Sequence, residues 1–248
     1  DYRTGFDRGL WIWKEYDTSC SYLLSADVAR GDGKDYSVFH IINLNTMEIV
    51  AEYQGKPAPD IYAPFLVEIG KQYGDCMMVV ENNNIGYTVI EKVKELEYSN
   101  VYHSVKSTHE FVEQYVADSR NDCVPGFTTS GKTRPMIIAK MEEFIRNDII
   151  KIYSSRLQNE LKTFVWNNNK PEAMRGYNDD LVMALAIACW VRDTALTVNK
   201  RDIEYTKAFM NSIFKNNTVI NTTISGMRGH KPVEFKKMTA DAKQHAWV

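Results

Sequence analysis

A chain of 248 residues with 44% hydrophobic content is long enough to bury a sizeable core, as one large domain or as a domain with an appendage. Four scattered cysteines without a C-x-x-C pair, and five histidines without metal-ligand spacing, argue against a disulfide framework and a structural zinc site. The net charge is only -2, but residues 1–119 are net acidic and residues 120–248 net basic. The second half is therefore suited to follow a phosphate backbone, although uneven solvated surfaces explain the distribution equally well.

The first half of the chain predicts a mixed sheet. Three strand-like runs come first, SYLLSADVA (21–29), YSVFHIINL (36–44) and MEIVAEYQ (47–54), the last two joined tightly by Asn45 and Thr46. Helical patterns follow at 59–74 and 85–98, separated by the buried strand CMMVVE (76–81), and VYHSV (101–105) adds one more strand. Antiparallel strands followed by crossover helices indicate an α/β fold with a mixed sheet.

The second half predicts further helices and a less ordered end. A helix is predicted at 133–147 with Thr133 as its cap, then a short strand IIKIY, and helical or strand pieces at 155–166 and 178–193. The apolar run LVMALAIACWV (181–191) is shorter than the roughly 20 residues of a spanning helix, so no membrane partner is expected. After residue 196 the chain is rich in Asn and Thr. We therefore predict one domain over 1–196 and a peripheral extension or flexible tail over 197–248.

The segment GFTTSGKT (126–133) matches the phosphate-loop pattern G-x-x-x-x-G-K-[ST] in full. Such a loop needs a buried strand before it, and the polar run YVADSRNDCVP does not look like one. We therefore expect no nucleotide site. Lys132 and Arg134 are instead predicted to contact DNA phosphates, because short polar side chains would leave the backbone N–H groups of the loop accessible. The alternative is that both cations are merely solvated.

Four acidic residues fall where a mixed sheet would gather them. Asp27 lies near the end of the first strand, Glu81 ends the strand at 76–81, and Asp179 and Asp180 open the long apolar helix. Ligand sites form beyond the carboxyl ends of strands, so Asp27 and Glu81 would be neighbours if their strands pair in parallel. Each acid alone has a structural explanation: a turn residue, a helix-leading acid, or a first-turn partner of the helix dipole after a cap at Asn178.

Together these acids predict a divalent-metal site. Burying several carboxylates costs several kcal/mol unless metal ions or hydrogen bonds compensate. An all-oxygen donor set suits Mg²⁺ or Mn²⁺, and two ions would activate a water and stabilise the leaving oxygen of a phosphodiester. Asp35 could support this site, although a turn role in the GDGKD segment is the simpler expectation.

Four segments resemble a known family in order: SADVARGDGKDYSVFHI, VVENNNIGYTVIEKV, TTSGKTRPMIIAKMEE and GYNDDLVMALAIACWVRD. Over roughly residues 20–195, they are similar to the C-terminal nuclease domain of the large terminase subunit of T-even-type tailed bacteriophages. The resemblance implies an RNase H-like fold and an endonuclease that cuts concatemeric double-stranded viral DNA during genome packaging, in the cytoplasm of the infected bacterial host. It implies a catalytic, metal-binding triad of Asp27, Glu81 and one or both of Asp179 and Asp180.

The resemblance also implies partners outside this sequence. These are an N-terminal packaging ATPase domain of the same polypeptide, which no segment here resembles, the portal and the small terminase subunit. Because the sequence begins at Asp1 rather than Met, we expect an excised nuclease domain. Two alternatives stay open: another RNase H-like enzyme, such as a junction resolvase or a transposase-like strand transferase, and a DNA-binding module whose carboxylates are structural.

Overall fold

The computed structural model describes residues 2–31, 33–105, 123–167 and 170–193. Its elements in chain order are β1 (Arg3–Gly5), a short 3-10 helix (Phe6–Arg8), β2 (Leu10–Ile12), β3 (Tyr22–Asp27), β4 (Ser37–Asn43), β5 (Glu48–Gly55), α1 (Pro59–Gln72), β6 (Met77–Val80), α2 (Ile85–Glu95), β7 (His103–Val105), β8 (Cys123–Pro125), α3 (Thr133–Arg146), α4 (Ser155–Thr163), β9 (Phe164–Asn167), β10 (Lys170–Ala173) and α5 (residues 180–193).

The central sheet has six strands in the order β1-β2-β5-β4-β3-β6. β3, β4 and β5 form an antiparallel meander, while β6 lies parallel to β3 with Val80 opposite Ala26. Single parallel bridges join Val101 to Met78 of β6 and Phe127 to Glu81, the residue after β6. β7 and β8 pair with each other in an antiparallel arrangement. The predicted mixed sheet is confirmed.

Side chains that alternate along the strands separate the core into two layers. Leu24 and Ala26 of β3 belong to a cluster with residues of α1 and α2, while Leu23 belongs to a cluster with residues of α3 and α5. This alternation follows from the two-residue period of a strand, which sends successive side chains to opposite faces. The helices therefore cover both faces of the sheet.

The apolar run at 181–191 is a buried helix against the sheet. Two polar side chains of the sheet bind its backbone: Ser25 Oγ donates to Ala184 O at 2.7 Å, and His40 Nε2 lies 2.9 Å from Leu181 O. These contacts fix the register of α5 on the strands, because a shift along the helix would leave both buried polar groups without partners. None of the helices in the described part of the chain has the length and apolar character needed to cross a membrane.

One local prediction was wrong: IIKIY is not a strand and forms only a single bridge, between Lys151 and Glu48. The helical or strand pieces predicted at 155–166 are the helix α4 as far as Thr163 and then the strand β9, which pairs with β10. The predicted boundary at 196/197 lies outside the described residues.

Candidate active site

The parallel pairing of β3 and β6 brings two of the predicted acids to one edge of the sheet. Glu81 follows β6, and its N–H donates to Ala26 O at 2.9 Å, immediately before Asp27 at the end of β3. By the alternation of strands, Asp27 shares a face with Ser25, which contacts α5. Both carboxyl groups therefore lie where α5 begins.

Burial and two neighbouring acids act together on the carboxyl group of Asp27. Burial raises the pKa of Asp27 well above its usual range, and the charge of Glu81, a hydrogen bond with Glu81 and the charge of Asp180 raise it further. A hydrogen bond of 2.7 Å from Val28 N to Asp27 Oδ1 acts in the opposite direction. The charges of Glu81 and Asp180 therefore both act against ionisation of Asp27.

Backbone and amide groups hold Glu81 in place. Asn83 Nδ2 donates to Glu81 Oε1 at 3.1 Å and to Thr129 O at 2.8 Å, which ties the acid to the loop that precedes α3. Gly86 lets α2 begin close beside the strand, because a Cβ at this position would lie 1.7 Å from Glu81 O. The orientation of Glu81 is therefore determined by groups that carry no net charge.

Asp180 faces the same edge. Its Oδ2 accepts hydrogen bonds from Tyr36 N at 2.9 Å and from Asn178 Nδ2 at 3.1 Å. Burial raises its pKa to about 6, against the lowering effect of these two donors, and the charges of Asp35 and Asp179 contribute to the rise. Asp35, predicted as a supporting residue, lies one position before Tyr36, is exposed, and acts on Asp180 through its charge.

Asp179 is held differently from Asp180. Its backbone carbonyl accepts the hydrogen bond of Met183 N at 2.8 Å and so starts α5, while its carboxylate forms an ion pair with the guanidinium of Arg134. Arg134 also donates from Nε to Pro171 O at 2.9 Å. Arg134 is therefore not merely solvated: it connects α3, the hairpin and α5.

The N-terminus of α5 is capped by Glu160, which the sequence analysis missed. Glu160 Oε2 accepts from Leu181 N at 2.9 Å and Val182 N at 3.3 Å. Burial raises the pKa of Glu160 to about 8, and the charge of Asp180 adds to this. Asn178 was expected to cap this helix, but its side chain donates to Asp180 and Lys34 O instead. The sequence alone does not distinguish Glu160 from the other charged residues of the polar helix α4.

The loop GFTTSGKT differs from two expectations, the cap of α3 and the access to its N–H groups. The strand before it, β8, is short and half-buried and pairs with β7, after which Phe127 N donates to Val80 O of β6 at 2.9 Å. Thr133, the predicted cap, is the first residue of α3 and follows Lys132 at the N-cap position. Ser130 Oγ accepts from Thr133 N at 3.1 Å and from Lys132 N at 3.3 Å, while Thr133 Oγ1 accepts from Ser130 N at 2.7 Å. These N–H groups are therefore bound to hydroxyls of the loop itself rather than open to phosphate. The side chain of Lys132 is exposed.

The donor set at this edge consists of carboxylate oxygens. Within the described ranges, no group of three or more His, Cys, Asp or Glu side chains converges tightly enough to hold a metal ion as it stands. The chemistry of the set nevertheless suits a hard divalent cation, because the charges of Glu81 and Asp180 both act against ionisation of Asp27, and the backbone and amide groups that donate to the three carboxyl groups are neutral.

Comparison with known proteins shows the fold. No protein-family model matches the chain. The large terminase nuclease of thermophilic phage G20c with bound magnesium superposes with a TM-score of 0.58 at 17% identity, over 76% of this chain and 89% of that chain. The predicted RNase H-like fold is confirmed. The large terminase nuclease domain of Thermus phage P74-26 gives a TM-score of 0.55 at 18% identity, over 73% of this chain and 84% of that chain, and the G20c nuclease has also been solved with cobalt and with zinc.

Proposed function

We propose that this chain is the nuclease domain of a phage large terminase subunit, of the T-even type that the sequence resembles. It cuts concatemeric double-stranded viral DNA during genome packaging by metal-dependent phosphodiester hydrolysis. The observation that carries the proposal is the approach of Asp27, Glu81 and Asp180 at one edge of an RNase H-like sheet. The bound magnesium, cobalt and zinc of the G20c nuclease structures support a divalent-metal requirement.

In this proposal Asp27, Glu81 and Asp180 hold Mg²⁺ or Mn²⁺, with two ions expected. When bound, such ions supply a nucleophilic water and stabilise the leaving oxygen of the phosphodiester. The chain orients the ligands through neutral N–H donors at Glu81 Oε1 and Asp180 Oδ2. Metal binding would release a proton from Asp27, whose raised pKa favours the protonated form without a cation, and from Asp180 at pH values below its pKa of about 6.

The contacts favour Asp180 over Asp179 as the third ligand. Asp180 contributes to the raised pKa of Asp27, whereas the carboxylate of Asp179 is paired with Arg134. Asp35 supports the site through its charge next to Asp180. Lys132 is proposed to contact a DNA phosphate from its exposed position at the start of α3. On the basis of the resemblance, we also propose that the chain acts in the cytoplasm of the infected host. Its proposed partners are the packaging ATPase domain, the portal and the small terminase subunit.

A plasmid-nicking assay tests the proposal. Supercoiled plasmid is incubated with the wild-type chain in Mg²⁺, Mn²⁺ or EDTA, and with the variants Asp27→Asn and Glu81→Gln, which keep side-chain volume and remove one ligand charge each. Asp60→Asn serves as the matched control, because Asp60 is exposed on α1, against the opposite face of the sheet. Circular dichroism confirms that each variant is folded.

We expect nicking by wild type and Asp60→Asn in Mg²⁺ or Mn²⁺, none in EDTA, and none with the two site variants. Near-wild-type nicking by either site variant would contradict the assignment of that residue. Binding of duplex DNA without metal-dependent cleavage would favour a DNA-binding module with structural carboxylates. Preferential cutting of a four-way junction over linear duplex would favour a resolvase.

A further inference from the structure

Arg134 connects three elements around the proposed site while remaining reachable from solvent. Nε donates to Pro171 O on β10, and Nη2 pairs with the carboxylate of Asp179 at the start of α5. The side chains are 21% exposed for Arg134 and 26% exposed for Asp179. Nη1 has no hydrogen-bond partner within the described residues, so the guanidinium retains donors for a further acceptor.

A cleft of about 420 Å³ opens beside this ion pair. It lies between the loop at 129–131 and the start of β10, and Arg134, Thr129 and Lys170 are among the residues that line it. The Thr129 hydroxyl oxygen is buried and has no hydrogen-bond partner in the part of the chain that the structure describes. Lys170 is 70% exposed and pairs with Glu172 at 3.5 Å. Two cations that line one cleft suit a phosphate group.

We propose that a phosphate of bound duplex DNA occupies this cleft and competes with Asp179 for the guanidinium of Arg134. The proposal rests on the proposed nuclease function. Without DNA, Arg134 neutralises Asp179, and the site offers a divalent cation the carboxylates of Asp27, Glu81 and Asp180. With a phosphate in the cleft, the carboxylate of Asp179 is released beside Asp180. Arg134 is thus a positioning residue that makes assembly of the metal site depend on the substrate.

The chemistry of the ion pair allows this exchange. A guanidinium binds carboxylate and phosphate with the same planar fork of donors, so Arg134 can change partners without movement of α3. Because the pair is partly open to solvent, an incoming phosphate can reach the guanidinium and displace the carboxylate. DNA and metal must then strengthen each other's binding by the same factor, because coupling between two sites is reciprocal.

Two binding measurements test the coupling, and both use the folded chain rather than its activity. The affinity for a short duplex is measured by fluorescence anisotropy in Ca²⁺, used in place of Mg²⁺ to suppress cutting, and in EDTA. Binding of Mn²⁺ to the DNA-free protein is measured by electron paramagnetic resonance. Arg146→Ala is the matched control, because Arg146 lies on the same helix and pairs with exposed Glu142.

Wild type is expected to bind the duplex about tenfold more tightly in Ca²⁺ than in EDTA, within the usual range for coupled sites. For Arg134→Ala, the ratio of duplex affinity in Ca²⁺ to duplex affinity in EDTA should fall towards one. This variant should also bind Mn²⁺ more tightly than wild type, because Asp179 is already released. Asp179→Asn should instead tighten duplex binding in EDTA, because Arg134 is free for the phosphate. Arg146→Ala should keep the wild-type values.

An Arg134→Ala protein whose ratio and Mn²⁺ affinity both match wild type would overturn the inference and leave the proposed nuclease function standing. If Arg134→Ala does not fold, the test uses Asp179→Asn instead. A duplex affinity of Asp179→Asn in EDTA that equals the wild-type value would then overturn the inference. If wild type nicks no plasmid in Mg²⁺ or Mn²⁺, the proposed function fails and the inference fails with it.

Discussion

The carboxyl group of Glu160 gives the protein a pH dependence whose size follows from the structure. Its pKa is raised from 4.5 to about 8 by burial and by the charge of Asp180. Between these pH values the native state keeps a proton that the unfolded chain has lost, so the free energy of unfolding falls as pH rises through this window. At 1.36 kcal/mol for each pH unit, Glu160 alone lowers the free energy of unfolding by about 3 kcal/mol between pH 4 and pH 7.

Glu160→Gln should remove this dependence without removing the cap. A glutamine oxygen still accepts from Leu181 N and Val182 N, and the amide of Gln54, which now donates to Glu160 Oε1 at 3.1 Å, can rotate to accept from the new NH₂ group. The variant is therefore expected to be more stable than wild type at pH 7 and 8, with the difference shrinking as pH falls towards 4.5.

Urea unfolding at half-unit steps from pH 4.5 to pH 8, in EDTA, measures this difference. Asp27 and Asp180 titrate in both proteins, so the difference between the curves isolates Glu160 to a first approximation. Glu142→Gln, at an exposed position of α3, controls for the loss of one negative charge and should follow wild type. Parallel curves for wild type and Glu160→Gln across this range would refute the reasoning and mean that the cap is already ionised at neutral pH.

Further predictions concern the start of α5 and the loop before α3. Asp180→Asn should abolish plasmid nicking, whereas Asp179→Asn should reduce it about 10- to 100-fold, the range for residues that orient metal ligands; the reverse order would identify Asp179 as the ligand. Lys132→Ala should flatten the slope of log duplex affinity against log salt by about 0.9, while Lys71→Ala on α1 should not. Titration of labelled ATP in Mg²⁺ should show no micromolar binding, and such binding lost in Lys132→Ala would reveal a nucleotide site at 126–133.

Local patterns in the sequence predicted the framework of the site. Short apolar runs identified β3 and β6, and the rule that ligands gather at the carboxyl ends of strands predicted Asp27 next to Glu81 if the two strands pair in parallel. Both inferences need only the period of a strand and the parallel pairing of two neighbours. They hold here because Ala26 and Val80 are direct partners, and a register shift of one residue would have moved either acid to the other face.

Contacts between distant residues could not be predicted in the same way. Arg134 and Asp179 are 45 positions apart, and Glu160 and Leu181 are 21 apart, so no local periodicity relates them. The loop at 126–133 was misjudged for a related reason: its strand is short and half-buried, and its N–H groups are bound by hydroxyls three residues away rather than left open. Composition is enough to predict that a segment is a polar loop, but the hydrogen bonds within the loop depend on its geometry.

The acids around the start of α5 are difficult to explain by stability alone. Glu160 is sufficient to cap the helix, yet Asp27, Glu81 and Asp180 lie at the same end of the sheet. Burial raises the pKa of Asp27 and of Asp180, and the charges of Glu81 and Asp180 raise the pKa of Asp27 further. Replacing such acids with apolar residues of similar volume would relieve desolvation and repulsion. Ser25 and His40 nevertheless hold α5 in the register that keeps these groups together. A divalent cation would convert their mutual repulsion into shared coordination, which is why the least favourable part of the apo fold is also the best candidate for its active site.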